Sequence, residues 1–447
     1  MAWAQRSSGR ARLDIPAGGL RIYRRFDAVS VLTAYVALLY VVPSDRTITP
    51  LGAAGSPAVL FGVLCGVWWA WYQLSRTEAT RDGDGLHRPV RTALFVFMAA
   101  VVASYVVAML SPHSAVEISA ADIGILRVLS FAGVLLITGD GIRDRDRFLT
   151  LLRRLVLAGS LFASLGLLQF VTKQSFVSSI PLPGFTTSQD FSAVQDRSGF
   201  ARAAATATNP LEYAFVLSMI LPIALTLAFD DSSRSAVRRW IPAILIIGAL
   251  GLSGSRSAVV GLAIGLIVLF PSWSARARRW SIAITAVGIA AIYVLVPGMI
   301  GTVRYLFLNL GQDSSSASRT GSYDVASGFI ERSPVFGRGF GTFLPRYRIL
   351  DNQFLLTAIE LGIVGLAALL GLMVVAIVMA WRARCLQSIR LHRQLGLALV
   401  SSIVAGSVMT AFFDDFSFRM SGGTLFLVLG LCGAYWRLEG QRAPTTL

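Results

Sequence analysis

A set of arginines and carboxylates stands out as groups that could do chemistry together. Arg256 lies in Gly254-Ser255-Arg256-Ser257, flanked on both sides by apolar runs. An arginine at membrane depth is costly unless it is paired or hydrated. Its planar fork matches a phosphate or diphosphate, and the alternative is a structural pair with a carboxylate such as Glu212. A polar stretch then runs from Ser318 to Asp351 and carries Arg319, Tyr323, Asp324, Arg338 and Arg348. Two arginines converging on one cavity would hold a diphosphate. Asp351 and Asn352 close the stretch where the next apolar run begins. A carboxylate there is placed to take a proton from an arriving hydroxyl, as a general base. Asp351 would serve equally well as a helix N-cap.

A second group precedes these residues. Thr208-Asn209-Pro210 reads as a helix start, with Asn209 as N-cap and Pro210 at the first helical position. Glu212 then falls just inside that helix and is expected to face an outer cavity. Arg197 and Arg202 lie upstream and add positive charge. Glu360, about 12 Å along the helix that follows Asn352, is an intramembrane carboxylate. It would either couple protons or pair with a buried arginine such as Arg127. Asp414-Asp415 at the last outer turn reads as solvated. The run Gly337-Arg338-Gly339-Phe340-Gly341 matches no particular phosphate loop. His87, His113 and His392 are scattered, and no metal site is expected. No cofactor is expected either.

The elements that must position these residues are membrane helices. The chain has 447 residues, 55% of them hydrophobic and only 14% charged, with mean hydropathy +0.65. A soluble domain carries about a quarter charged residues. Apolar runs recur along the whole length, so an all-α polytopic membrane protein is expected. The spans are expected at 28–42, 57–74, 92–110, 120–138, 155–171, 209–229, 240–252, 257–270, 280–300, 352–380, 394–412 and 420–436. This divides the chain into a cytoplasmic tail (1–27), helices 1–9 (28–300), a large extracytoplasmic loop (301–351), helices 10–12 (352–436) and a second tail (437–447). The loop should hold a short amphipathic helix near Arg319–Glu331.

The net charge is +16, and Lys173 is the one lysine. Nucleic acid is a poor explanation for this excess in so apolar a chain, and topology is a better one. With the N-terminus inside, the inner segments hold 27 of the 40 basic residues. That puts both termini in the cytoplasm. The stretch Ile241–Phe270 is read as a hairpin of two short helices with its tip at 253–257, since one long helix would reverse every later segment. Cys65, Cys385 and Cys432 show no metal or disulfide spacing.

Four stretches in order carry a resemblance: ARAAATATNPLEYA, GLSGSRSAVVGL, SRTGSYDVASGFIERSPVFGRGFGTF and DNQFLLTAIELGIVGL. Together they resemble the O-antigen ligase and polymerase superfamily, the Wzy-like membrane glycosyltransferases of GT-C type. The resemblance covers about Gly199 to Leu366. It implies about a dozen helices with a catalytic outer loop in the bacterial cytoplasmic membrane. It implies metal-independent, inverting transfer from a polyprenyl-diphosphate-linked glycan to a glycan acceptor, with a chain-length regulator as a further partner. Arg256 and Arg319 would bind the diphosphate. Arg202, Glu212, Tyr323, Arg338 and Asn352 would line the substrate site. Asp351 falls where the ligases carry a histidine, which favours a polymerase over a ligase. A transporter or flippase of lipid-linked sugar is the reading from another class. It would favour inverted repeats, and none is evident.

Overall fold

In the computed structural model, residues 27–75, 88–174, 176–177, 183–187, 195–197, 200–253, 256–295 and 314–440 are described. Helices dominate them, because lipid offers no partner for backbone groups and a helix satisfies its own. They are α1 (Ala28–Val41), α2 (Pro57–Leu74), α3 (Pro89–Leu110), α4 (Ala115–Gly141), α5 (Arg145–Thr172), α6 (Pro210–Asp230), α7 (Ala236–Leu252), α8 (Arg256–Leu269), α9 (Ala275–Leu295), α10 (Ser314–Arg332), α11 (Gln353–Cys385), α12 (Arg390–Thr410) and α13 (Arg419–Tyr435). Among the described residues, each of the twelve apolar stretches expected from the sequence overlaps one of these helices, and residues 296–300 of the ninth lie outside that set. Among the described residues, seven helices are long and apolar enough to cross a membrane: α2, α3, α4, α5, α6, α11 and α12. The chain between α7 and α8 does break, so Ile241–Phe270 is two helices.

Local chemistry sets the starts. Proline opens α2, α3 and α6 at a position where its missing N–H costs nothing. Asn209 caps α6 by accepting from the backbone N–H groups of Leu211 and Glu212, at 2.8 and 2.9 Å. The residues ahead of α10, 296–313, lie outside the described set, as do residues 1–26 and 441–447.

The all-α expectation needs one amendment. Two small antiparallel pairs cover one end of the bundle. β1 (Arg46–Ile48) pairs with β2 (Phe185–Thr187), and β3 (Gln195–Arg197) pairs with β4 (Phe200–Arg202). Strands this short carry almost no periodic signal, so the sequence offered no handle on them.

The core is built around α6, which is buried on every face and packs against α5, α7, α8, α12 and α13. Beside it, α2 and α4 approach through small residues. Gly62 and Gly66, spaced four apart, meet Ser130 and Gly133, and a Cβ on Gly133 would lie 2.3 Å from the Gly62 carbonyl oxygen. Close approach of this kind replaces the hydrophobic drive that lipid does not supply.

Candidate active site

α11 carries the central device. It is broken at Gly362, whose φ of 66° is left-handed. The break frees the carbonyls of Ile359 and Glu360 and the N–H groups of Ile363 and Val364, which an intact helix would pair with one another. The Gly-rich turn takes up all four. Arg338 and Gly339 donate their N–H groups to the Ile359 and Glu360 oxygens, at 3.0 and 3.1 Å. Ile363 and Val364 donate to the oxygens of Pro334 and Val335, at 2.9 and 3.3 Å. Gly337, Gly339 and Gly341 all have positive φ. A Cβ on Gly337 would sit 2.2 Å from the Glu360 carbonyl carbon. Backbone contact this close requires glycine. The Gly-rich run is therefore a backbone plug for a broken helix.

Two buried carboxylates fix the plug. Glu360 accepts from the Phe343 N–H at 3.2 Å and also bonds the Gly341 backbone, with Arg338 and Arg127 acting on its charge. The bonds shown for Glu360 run to backbone N–H groups of the loop, and the arginines act on it through charge. Glu117, in the first turn of α4, accepts from Arg338 Nη2 at 2.6 Å, from the Tyr347 hydroxyl at 2.6 Å and from Ser114. The Arg338 guanidinium also lies over the rings of Phe329 and Tyr347, 5.1 and 4.9 Å from their centroids. Arg338, expected on substrate, also ties the loop to α4.

Glu212 departs from its expected place. It was expected to face a cavity, and it is instead fully buried. Its oxygens accept from the N–H groups of Thr208 and Met420, at 2.7 and 2.9 Å, and from the Ser44 hydroxyl at 3.3 Å. It locks the start of α6 to the start of α13, with Arg419 nearby in charge.

The cap of α11 falls to Asn352, whose side chain accepts from Leu355 N–H at 3.0 Å. Asp351 is not the N-cap. It stands one residue outside the helix, half-buried, and its charge acts on Asp414 across the site. The two segments are clamped together. Gln353 donates its N–H to Phe413 O at 3.2 Å, and its side chain accepts from Phe416 N–H at 3.0 Å. Arg127 closes the same turn by donating to the Phe416 and Ser417 oxygens, at 3.0 and 2.9 Å.

Asp415 is buried and Asp414 half-buried, so the pair is not the fully solvated one expected. Burial, helped by repulsion from Asp351, pushes the Asp414 carboxyl up to about 7 against the pull of Ser417 and Arg127. Burial holds the Asp415 carboxyl well above the usual range too. A half-buried carboxylate beside one that holds its proton to near neutrality is a setting for proton transfer.

The arginine positions gather at this end of the bundle. Gly261 of α8 meets Ser218 and Met409, so Arg256, five residues earlier, lies about 7 Å further toward the end where Phe413 and Gln353 meet. Arg319 and Tyr323 lie on α10, which packs against α11, and Tyr323 is exposed. Arg348 lies over the same helix. Its Nε donates to Ser322 Oγ at 2.9 Å, and its Nη2 fills the space beside Gly321. Arg202 ends β4. The side chains of Arg202, Arg256 and Arg319 lie outside the described set.

Sequence reasoning missed Asp414 as a partner of Asp351, and also Glu117. The second was findable: Ser114 and Glu117 form a capping box, and its spacing is written in the chain. The first was not, because nothing local shows that residues 351 and 414 meet.

These features define the class: a polytopic helical membrane protein with a polar, carboxylate- and arginine-bearing site at one end of its bundle. Residues 241–370 match the family model described as O-antigen ligase, and this match supports membership of the O-antigen ligase and polymerase superfamily. The matched segment includes Arg256, Arg319, Tyr323, Arg338, Asp351 and Asn352. No curated protein matches the chain.

Proposed function

We propose that the chain is a membrane glycosyltransferase that polymerises polyprenyl-diphosphate-linked oligosaccharide repeats at the outer face of the bacterial cytoplasmic membrane. The observation that carries this reading is Asp351, released from capping by Asn352 and set against Asp414 at the end of the bundle where Arg256 begins α8. An acceptor hydroxyl oxygen attacks the anomeric carbon of the donor, and the bond to the diphosphate oxygen breaks. Asp351 takes the hydroxyl proton. The diphosphate leaves with the extra negative charge, which Arg256 and Arg319 stabilise. Attack from the face opposite the leaving group inverts the anomeric centre, and no step calls for a metal ion. Glu212, Glu117 and Arg338 hold the frame.

The second reading is a ligase that moves a finished lipid-linked glycan to a lipid or protein, and the match to the O-antigen ligase family favours it. Complementation of a deletion strain with Asp351→Asn and Arg319→Ala separates the readings, with membrane levels checked by blot. For a polymerase, surface glycan is lost and lipid-linked single repeats build up. For a ligase, full-length lipid-linked chains build up. Wild-type glycan in both variants would sink the site assignment and bring the flippase reading forward.

A further inference from the structure

Among the described residues, Lys173 and Ala205 are the non-glycine residues with a left-handed φ, 57° and 54°. Lys173 has a local reason, since it is the C-cap of α5. Ala205 has none of that kind. It is buried in the turn between β4 and α6. A residue with a Cβ is costly to hold there, and it stays only where its surroundings over-determine it, a condition that gathers at functional sites.

Gln169, near the end of α5, does the holding. Its side-chain oxygen accepts from the Ala205 N–H at 2.7 Å, and its side-chain nitrogen donates to the Ala205 carbonyl at 3.1 Å. Both residues are buried, so losing either bond would leave a polar group without water. The start of α6 does not depend on this joint. Asn209 caps it, and Glu212 accepts from the Thr208 N–H. Thr206 is fixed separately, because its hydroxyl donates to the Tyr40 carbonyl at 2.6 Å and its own carbonyl accepts from the Ser44 N–H at 2.8 Å. What the joint at Ala205 sets is therefore the course of the chain upstream. Three residues upstream lies Arg202, the last residue of β4. The joint also stands at the end of the bundle that holds the candidate site. The Ser44 carbonyl accepts from Arg419, which opens α13 directly after the turn of Asp414 and Asp415.

We infer that Gln169 is a positioning residue: by holding Ala205 left-handed, it fixes the path of the chain that brings Arg202 to the diphosphate of the lipid-linked donor. The inference rests on the glycosyltransferase reading, in which Arg202 lines the substrate site. A strained joint held at two points gives up stability and returns a fixed direction. That matters for a guanidinium that must meet a phosphate in one geometry.

The test is a double-mutant cycle on the full-length protein purified in detergent, read as affinity for undecaprenyl diphosphate and as melting temperature. Gln169→Met keeps the length of the side chain and removes both bonds. Arg202→Ala and Gln169→Met should each weaken binding about tenfold, and the double variant no more than about tenfold, because one acts through the other. Ala205→Val breaks the joint from its other side, since a branched side chain resists a left-handed φ, and should match Gln169→Met. Gln169→Glu keeps the bond from the Ala205 N–H and should fall between, and it carries the cycle where Gln169→Met does not accumulate. A role in stability alone predicts a lower melting temperature with wild-type affinity in Gln169→Met, or losses that multiply in the double variant. Either result overturns the proposal, as does wild-type affinity in Arg202→Ala. Failure of the wild-type protein itself to bind undecaprenyl diphosphate sinks the glycosyltransferase reading, and the positioning role with it.

Discussion

At the scale of single residues, the site turns on which group caps α11. Asn352 takes that role, so Asp351 is not needed as the cap. Asp351→Asn keeps the size of the side chain and removes the base. Transfer in membrane vesicles should fall about a hundredfold to ten-thousandfold, with protein level unchanged. Asp414 carries a separate expectation. Its folded carboxyl titrates near 7 against 3.8 ordinarily. Between those values the unfolded chain loses its proton while the folded one keeps it. Stability from this group is therefore present below about 4 and is lost as pH rises through 7. Asp415 acts in the same direction. The melting temperature in detergent should fall from pH 5 to pH 8, and Asp414→Asn should flatten that fall; an unchanged slope in the variant refutes it. The sequence showed Arg256 because a charge between apolar runs is conspicuous, and Arg319 and Asp351 because they stand in a long polar stretch between such runs. It expected Glu212 at a cavity and gave no sign that Arg338 pairs with Glu117, because burial and long-range partners are properties of the fold: Thr208 is near in sequence to Glu212, but Met420 and Ser44 are not.

At the scale of elements, the broken α11 and its plug are one unit. The helix gives up two hydrogen bonds at Gly362, and the turn at 334–339 supplies four in their place. Irregular backbone at this depth is tolerated because protein covers it. The arrangement also aims the outer loop, since the residues from Gly341 to Asp351 hang from the plug at one end and from the cap at the other. Gly337→Ala faces a left-handed φ of 70° and a contact of 2.2 Å to Glu360. The dihedral alone costs about 1–3 kcal/mol, and the clash forces the plug out. Limited proteolysis of purified protein should then cut between 333 and 348 much faster than in wild type. Gly328→Ala, at an open position on α10, is the control and should cut at the wild-type rate. In the sequence this run read as a weak loop signal. Helix spans were legible because each is an apolar run longer than its flanks, whereas a break inside an apolar run leaves hydropathy unchanged. Gly362 alone could not announce it.

For the whole molecule, charge is divided between the two ends, and that division carries a topology. One end holds Arg88, Arg91, Arg145, Arg147, Arg153, Arg384, Arg390 and Arg437, many bridged to Asp27, Asp140, Asp230, Asp231 and Glu439. The other end holds the candidate active site. By the positive-inside rule we propose that the first end faces the cytoplasm; the site would then face outward, where a lipid-linked donor already exported to that leaflet would meet it. The chain carries its own reporter of this orientation. Cys65 and Cys432 are buried, and Cys385, at the arginine-rich end of α11, is exposed. A membrane-impermeant maleimide should therefore leave intact right-side-out spheroplasts unlabelled and label inside-out vesicles, with Cys385→Ser abolishing the signal. Labelling in spheroplasts would place the arginine-rich end outside. The carboxylate pair of Asp351 and Asp414 would then face the cytoplasm, and a donor of the outer leaflet could not reach it.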